Sequence, residues 1–345
     1  MNVKLSTTAA AAAAAAAVLF AGLLATPASA DPVPQTKDYV GVGSDTTQLS
    51  VGAVADGYAD SQFGFYVAGY NSTASARVAS FDATNLLTGA RGDTIRLKAG
   101  TTPIARPDGS GAGKNLLYGA TTNNTAVNFA RSSSALSSAE AGANLVAYPF
   151  AVDEVAAGVA PGSSYAPAGL TPQQLVGIYN GTYTNWNQVG GANAPITPLV
   201  PQSGSGTRSF FESQLQAANG GNPVVYGANV IQTVQEHDAS VFQTYPNAVA
   251  PFSVGRAGLT PGSVKFANVG AGAFDAKRGV YNVVRGSQAN QAWVSSLFGP
   301  SGYFCSSAAK DAIAAGGLTQ LARPGTGVCG QPYTTTVGVT NFATS

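Results

Sequence analysis

The sequence is poor in charged residues, in histidine and in sulfur-containing residues. Among its 345 residues are 17 Lys and Arg, 16 Asp and Glu, one His, two Cys and one Met, so that only 10% of the chain is charged. Soluble domains average about 25% charged residues. A net charge of +1 provides no basic surface for nucleic acid or for an anionic membrane. We therefore set both classes of partner aside.

The scarcity of metal ligands and of catalytic motifs also limits the function. One histidine and scattered carboxylates do not give the clustered ligands that zinc requires, so we expect no metal and no cofactor. The segment Glu236-His237-Asp238 allows a hydrolase with His237 as general base. A histidine in this setting is more often structural or a hydrogen-bonding partner of a ligand. No serine stands in a Gly-x-Ser-x-Gly elbow. We predict ligand binding without catalysis, and a secreted hydrolase remains the alternative.

Glycine, proline and apolar residues are abundant instead. There are 42 Gly and 19 Pro, and 45% of the residues are hydrophobic. This composition predicts a folded chain with many tight turns, and the length suits two domains of about 150 residues each.

The first thirty residues have the pattern of a signal peptide. Lys4 precedes an alanine run and a short apolar stretch, and Ala28-Ser29-Ala30 offers small residues for cleavage after Ala30. The apolar run is short for a membrane span. No Cys lies near the cleavage point, so we predict a secreted or periplasmic protein without a lipid anchor. In such a compartment the two cysteines, Cys305 and Cys329, are expected to form a disulfide.

Three segments follow the pattern of a strand, a polar loop and a helix. They are residues 39–47, 126–134 and 196–208. After the first, an apolar stripe predicts a helix that includes Val51, Val54, Ala55 and Tyr58. Two capping signals, at residues 137–140 and 171–174, predict further helix starts. Repeated strand-loop-helix units indicate an α/β fold.

Two of these loops are suited to anions. In residues 203–207, Ser-Gly-Ser-Gly-Thr, glycines allow backbone amides to converge at a helix start, and Arg208 follows with a permanent charge. Arg131 stands beside Ser132 and Ser133 in the second loop. A solvated surface loop is the alternative for each. Residues 109–114 lack the spacing of a phosphate-binding P-loop, and we interpret them as a turn.

In order and spacing, the three loops resemble the ligand loops of PstS-type phosphate-binding proteins. Residues 148–153 resemble the first hinge strand of that family, and residues 175–181 with Asn185 and Trp186 resemble the first helix of its second lobe. The resemblance implies an α/β, two-lobed periplasmic-binding-protein type II fold with the ligand cleft between the lobes. We expect residues 36–149 and 286–345 in the first lobe and 150–285 in the second.

The resemblance also implies which residues bind the ligand. The family usually has Asp at the position of Ser133 and Arg at the position of Pro201. Asp45 stands where the family commonly has Thr, so we predict that it supplies the missing carboxylate. The ligand-binding set is Ser44, Asp45, Thr46, Arg131, Ser132, Ser133, Ser205, Gly206, Thr207 and Arg208, with Glu236, His237 and Asp238 as secondary candidates.

The implied function is capture of a small oxyanion, phosphate first, by a monomeric solute-binding protein. The implied partner is an ABC permease. A scavenging or cell-envelope protein of the same fold is a further alternative.

Overall fold

The computed structural model describes residues 31–33, 35–60 and 64–345, and the predicted signal peptide lies outside these residues. The strands are β1 (Tyr39–Gly43), β2 (Gly57–Asp60), β3 (Phe65–Ala68), β4 (Val78–Ser80), β5 (Thr94–Ile95), β6 (Ile104–Ala105), β7 (Phe129–Ser132), β8 (Leu145–Val159), β9 (Thr197–Pro201), β10 (Ile231–Val234), β11 (Ala248–Ser253), β12 (Lys265–Phe266), β13 (Asp275–Arg285) and β14 (Thr319–Gln320). The helices are α1 (Gln48–Asp56), α2 (Ser110–Tyr118), α3 (Ser138–Gly142), α4 (Pro172–Tyr179), α5 (Gly206–Ala218), α6 (Val241–Thr244), α7 (Val254–Gly258), α8 (Ala292–Phe298) and α9 (Ser307–Ala315). Short 3-10 helices span Tyr70–Ser72, Trp186–Val189, Gly286–Gln288 and Tyr303–Cys305.

One sheet connects most of the molecule. Its strand order is β10-β9-β11-β8-β13-β7-β1-β4, and β12 and β14 pair with β8. Strand β1 runs parallel to β4 and β7, and β9 runs parallel to β10 and β11. Strands β8 and β13 are antiparallel to each other and join these two parallel groups. Strands alternate with helices, which confirms the α/β class.

The two parallel groups belong to separate hydrophobic cores. The first core contains Val40, Phe129 and Phe150, and the second contains Leu175 and Phe211. We call the parts of the chain around these cores the first and the second lobe. Long apolar strands are typical of elements buried on both faces, and β8 is buried at every position except one.

Strands β8 and β13 pass from one lobe to the other. In β8, the residues up to Val152 belong to the first core and those from Val155 belong to the second. Asp153 lies between them and is paired in register with Arg278 of β13. The lobe boundaries expected from the sequence stay a prediction, and the cores change near these two residues.

Several local predictions can be compared with the structure. Cys305 and Cys329 form the expected disulfide, and both predicted capping boxes are present, at the starts of α3 and α4. Two predictions were wrong. Residues 109–114 do not form only a turn, because α2 begins at Ser110. Tyr58 lies in β2, since α1 ends at Asp56.

Among the residues that the structure describes, none of the helices combines the length and the apolar composition of a membrane span.

Candidate ligand-binding site

The three predicted loops meet between the lobes. Thr46 follows β1, Ser133 follows β7, and Thr207 lies in the first turn of α5. The hydroxyl oxygen Oγ1 of Thr46 lies 3.2 Å from Ser133 Oγ and 3.4 Å from Thr207 Oγ1. All three residues are fully buried. The loops therefore place a cluster of hydroxyl groups at the amino end of a helix, a location that favours anions.

Gly206 allows the second lobe to approach the first. A Cβ atom at this position would lie 2.3 Å from Ser133 Oγ and 2.4 Å from Ser110 Oγ, closer than real atoms approach. Ser110, at the start of α2, also accepts a hydrogen bond from the amide of Ser133, at 3.0 Å. The Gly111 amide donates to the Gly204 carbonyl across the cleft, at 2.9 Å. The lobes are in contact at this point.

Glu236 and His237 enter the cluster from the second lobe. Glu236 Oε1 accepts hydrogen bonds from the hydroxyl of Thr46, at 2.8 Å, from the amide of Thr207, at 3.3 Å, and from the hydroxyl of Thr207. His237 Nε2 lies 2.9 Å from Thr46 Oγ1. Because the Ser253 amide donates to His237 Nδ1, neutral His237 carries its proton on Nε2 and donates into the cluster.

Arg278 completes the cluster from β13. Its Nη2 donates to Thr207 Oγ1 at 2.7 Å, to Thr46 Oγ1 at 3.2 Å and to Asp153 Oδ2 at 2.7 Å. Sequence reasoning missed this pair. The signal was available, since Asp153 interrupts a long apolar run and a carboxylate inside a buried strand needs a partner. The sequence alone did not say which cation would pair with it.

Two polar atoms of the cluster lack partners in the described part of the chain. These buried atoms are Glu236 Oε2 and Arg278 Nη1. Burial by itself raises the pKa of Glu236, but the neighbouring His237 and Arg278 and the hydroxyl of Thr207 hold that pKa well below its usual range. The cluster thus holds an ionised carboxylate, several donors and one unpaired guanidinium nitrogen. Buried polar atoms without protein partners are often satisfied by a ligand or by water.

Of the other predicted serines, one belongs to the cluster and two stabilise the loops. Ser44 does belong to the cluster, because its hydroxyl donates to Ser133 Oγ at 3.2 Å. Ser132 donates instead to the Ser134 carbonyl, at 2.8 Å, and Ser205 Oγ caps α5 by accepting the amide of Arg208.

Two of the predicted charged residues point away from the cluster. The guanidinium of Arg208 donates to Glu212 at 2.8 Å and to the Gln232 side chain at 2.9 Å. Asp238 is exposed and accepts the amide of Ser240.

Arg131 and Asp45 lie behind the first loop. Arg131 is fully buried and donates to Ser80 Oγ at 2.8 Å and to the Ser44 carbonyl at 3.3 Å. Burial lowers its pKa to about 10. The nearest cation to Asp45 Oδ1 is Arg256 Nη2, at 3.5 Å, and burial raises the pKa of Asp45. Glu236, and not Asp45, is the carboxylate hydrogen-bonded to the cluster hydroxyls.

Solved structures of the same fold include phosphate-binding proteins. A Clostridium perfringens protein assigned as a phosphate ABC transporter substrate-binding protein, with bound phosphate, is 18% identical over 82% of this chain and 99% of its own, with a TM-score of 0.58. An ABC-type phosphate transport receptor from Vibrio cholerae is 20% identical over 81% and 99%, with a TM-score of 0.53. The phosphate-bound periplasmic protein PfluDING is 14% identical over 83% and 91%, with a TM-score of 0.52.

No curated protein sequence matches the chain. The family model described as the PBP superfamily domain matches residues 86–294, more than half of the chain. This range includes the second and third loops, the crossing strands and the helix α5. The family and the two-lobed fold expected from the three loops are confirmed: the chain belongs to the PBP superfamily, the family of periplasmic binding proteins.

Proposed function

We propose that this protein captures inorganic phosphate between its lobes and presents it to an ABC-type permease. The structures with the same fold include two that contain bound phosphate and two whose descriptions name ABC-type phosphate transport. At 14 to 20% identity these proteins share the fold, so the ligand has to be argued from this chain's own residues.

One observation carries the proposal. Glu236 Oε1 already occupies the amino end of α5, where it accepts the amide and hydroxyl of Thr207 and the hydroxyl of Thr46. These are the donors that a phosphate oxygen would use. Arg278 adds a permanent positive charge, and its Nη1 has no other partner among the described residues. An oxygen of the bound phosphate accepts these hydrogen bonds in place of Glu236 Oε1, and the Glu236 carboxylate stays next to the phosphate.

Glu236 gives the site a means of selecting phosphate over sulfate. Phosphate near neutral pH still carries a proton, which it can donate to a carboxylate, whereas sulfate carries none. Sulfate would face the charge of Glu236 without a hydrogen bond. We therefore assign to Glu236 the acceptor role predicted from the sequence for Asp45. We propose binding without catalysis, with His237 as a hydrogen-bond donor.

Calorimetric titration of phosphate and sulfate into the wild type and two variants tests this function. Glu236→Gln should weaken phosphate binding by about tenfold or more, because one charge-assisted hydrogen bond contributes about 1.5 to 3 kcal/mol. The same change should improve sulfate binding, because an amide can donate to an unprotonated oxygen.

Asp45→Asn is the matched control, since Asp45 is equally buried but pairs with Arg256. It should leave the ratio of phosphate to sulfate affinity unchanged. A wild type that binds neither anion would refute the function. A change of that ratio in Asp45→Asn alone would return the acceptor role to Asp45.

A further inference from the structure

A cavity much larger than one phosphate opens beside the cluster. Its volume is about 450 Å³, and both lobes line it. Ser133 and Arg278 belong to the cluster and to the cavity lining alike, so the two spaces adjoin. Cavities of roughly 300 to 1,000 Å³ hold organic ligands. An inorganic phosphate held by the cluster would leave this space to water.

The cavity lining is amphipathic. The lining combines hydroxyl groups with aromatic and aliphatic side chains, among them Ser134, Ser137, Ser209, Phe210, Ser213 and Tyr281. The guanidinium carbon of Arg278 lies 5.5 Å from the centre of the Phe210 ring, which sets the arginine between the cluster and the cavity. Serine hydroxyls can bond to alcohol groups, and the ring faces can pack against their carbon skeleton.

The charges of the cavity argue against a second anionic group. Arg278 is already assigned to the phosphoryl group, and Lys114, the other buried cation of the lining, donates to Glu140 Oε2 at 2.7 Å and to the Ala135 carbonyl at 3.2 Å. Lys277 is exposed, and solvent screens an exposed charge. The organic part of a ligand in this cavity should therefore be uncharged and rich in hydroxyl groups, unlike the second phosphate of a diphosphate.

From these observations we propose that the preferred ligand is the phosphomonoester of a small polyol, such as a glycerol or sugar phosphate. This inference rests on the proposed recognition of a phosphoryl group by Thr46, Thr207 and Arg278. A monoester keeps three phosphoryl oxygens for those donors, and because its second pKa is about 6, its monoanion still carries the proton that Glu236 accepts. The fourth oxygen carries the polyol into the cavity past Ser133.

Calorimetry at about pH 6, where the monoanions of the esters are populated, with glycerol 3-phosphate, glucose 6-phosphate and inorganic phosphate tests the inference. We expect at least one ester to bind about tenfold more tightly than inorganic phosphate. Ser213 is exposed on α5 and lines the cavity, so that Ser213→Trp should fill the cavity without touching the cluster. It should weaken binding of that ester by about tenfold and change phosphate affinity less than about twofold.

Two further variants control for folding and position. Ala308→Trp places the same side chain on an exposed position of α9, which does not line the cavity, and should change neither affinity. Thr336→Trp approaches the cavity from the first lobe and should repeat the Ser213→Trp result. Phosphate binding with no tighter ester binding, or ester binding insensitive to both cavity variants, would overturn the inference. Failure of phosphate and esters alike would overturn the proposed function as well.

Discussion

The two sides of the cleft contribute different chemistry to one cluster. The first lobe supplies neutral hydroxyl groups from Ser44, Thr46 and Ser133, whereas the second lobe and the crossing strands supply the charges of Glu236 and Arg278. Hydrogen bonds that involve an ionised group are roughly twice as strong as neutral ones. In the proposed function, the first lobe therefore orients the anion, and the second decides which charge and protonation state is accepted.

The buried carboxylates of the two lobes also differ, because their pKa values are shifted in opposite directions. In the first lobe, burial raises the pKa of Asp82 to about 6, although Arg131 and Arg106 act against the shift. In the second lobe, the pKa of Glu236 is held below its usual range in spite of complete burial. The difference lies in the hydrogen-bond donors around Glu236, so burial alone does not decide whether a carboxylate is ionised.

The largest effect is expected from the charge that the crossing strand brings to the cluster. Arg278→Gln should weaken phosphate binding by about a hundred- to thousandfold, because removing one partner of a buried, hydrogen-bonded charge pair in a complex costs about 2 to 5 kcal/mol. Isothermal titration calorimetry measures the loss, and thermal unfolding shows whether Asp153 without its partner lowers stability.

Arg208→Gln is the matched control for this experiment. Arg208 also carries a positive charge near the loop but bonds to Glu212 and Gln232, so its loss should change affinity less than about twofold. Arg278→Lys keeps the charge and should recover part of the binding. Equal losses in the Arg208 and Arg278 variants would contradict the assignment of charge recognition to the crossing strand.

Contact between the lobes can be broken at Gly206. Gly206→Ala introduces a Cβ atom 2.3 Å from Ser133 Oγ, and overpacking of this kind costs about 1 to 3 kcal/mol. We expect phosphate affinity to fall by about ten- to hundredfold while the fold is kept. Gly52→Ala is the control, because Gly52 also lies in a helix and has open space around it. Unchanged affinity in Gly206→Ala would show that the lobes need not approach so closely.

The loops of this site were predictable from the sequence because each loop is one short, continuous segment of the chain. Thr46, Ser133 and Thr207 each follow or begin an element whose pattern is visible in a short window, and they meet as expected. The capping boxes and the disulfide were predictable for similar reasons, since each depends on few residues of recognisable type.

The rest of the site depends on pairing between distant strands. Arg278 reaches the cluster because β13 pairs with β8 in a register that sets it opposite Asp153, and no local pattern encodes that register. Arg208 was expected in the site because it follows the loop, yet helix geometry lets it bond to Glu212 one turn later. The direction of the side chain, more than the position in the chain, decides that Arg278 reaches the cluster and Arg208 does not.

The raised pKa of buried Asp82 predicts that the stability of the fold depends on pH. A pKa of about 6 means that folded Asp82 keeps its proton between about pH 4 and pH 6, where the unfolded chain has lost it. The free energy of unfolding should therefore fall as pH rises through this window, by about 1 to 3 kcal/mol. Asp82→Asn cannot titrate and should remove that fall in urea titrations at several pH values. Asp238→Asn, at an exposed carboxylate, is the control, and an unaltered pH profile in Asp82→Asn would refute the assignment.

The smallest expected effect concerns the neutral side of the cleft. Ser44 donates one hydrogen bond, to Ser133 Oγ, and a neutral hydrogen bond contributes about 0.5 to 1.5 kcal/mol. Ser44→Ala should therefore weaken phosphate and sulfate binding by a similar factor of about two to ten. The two affinities should fall by the same factor, because a neutral donor cannot distinguish a protonated from an unprotonated anion, whereas Glu236 can. If Ser44→Ala changed the ratio of the two affinities as much as Glu236→Gln does, selection would not reside in the second lobe.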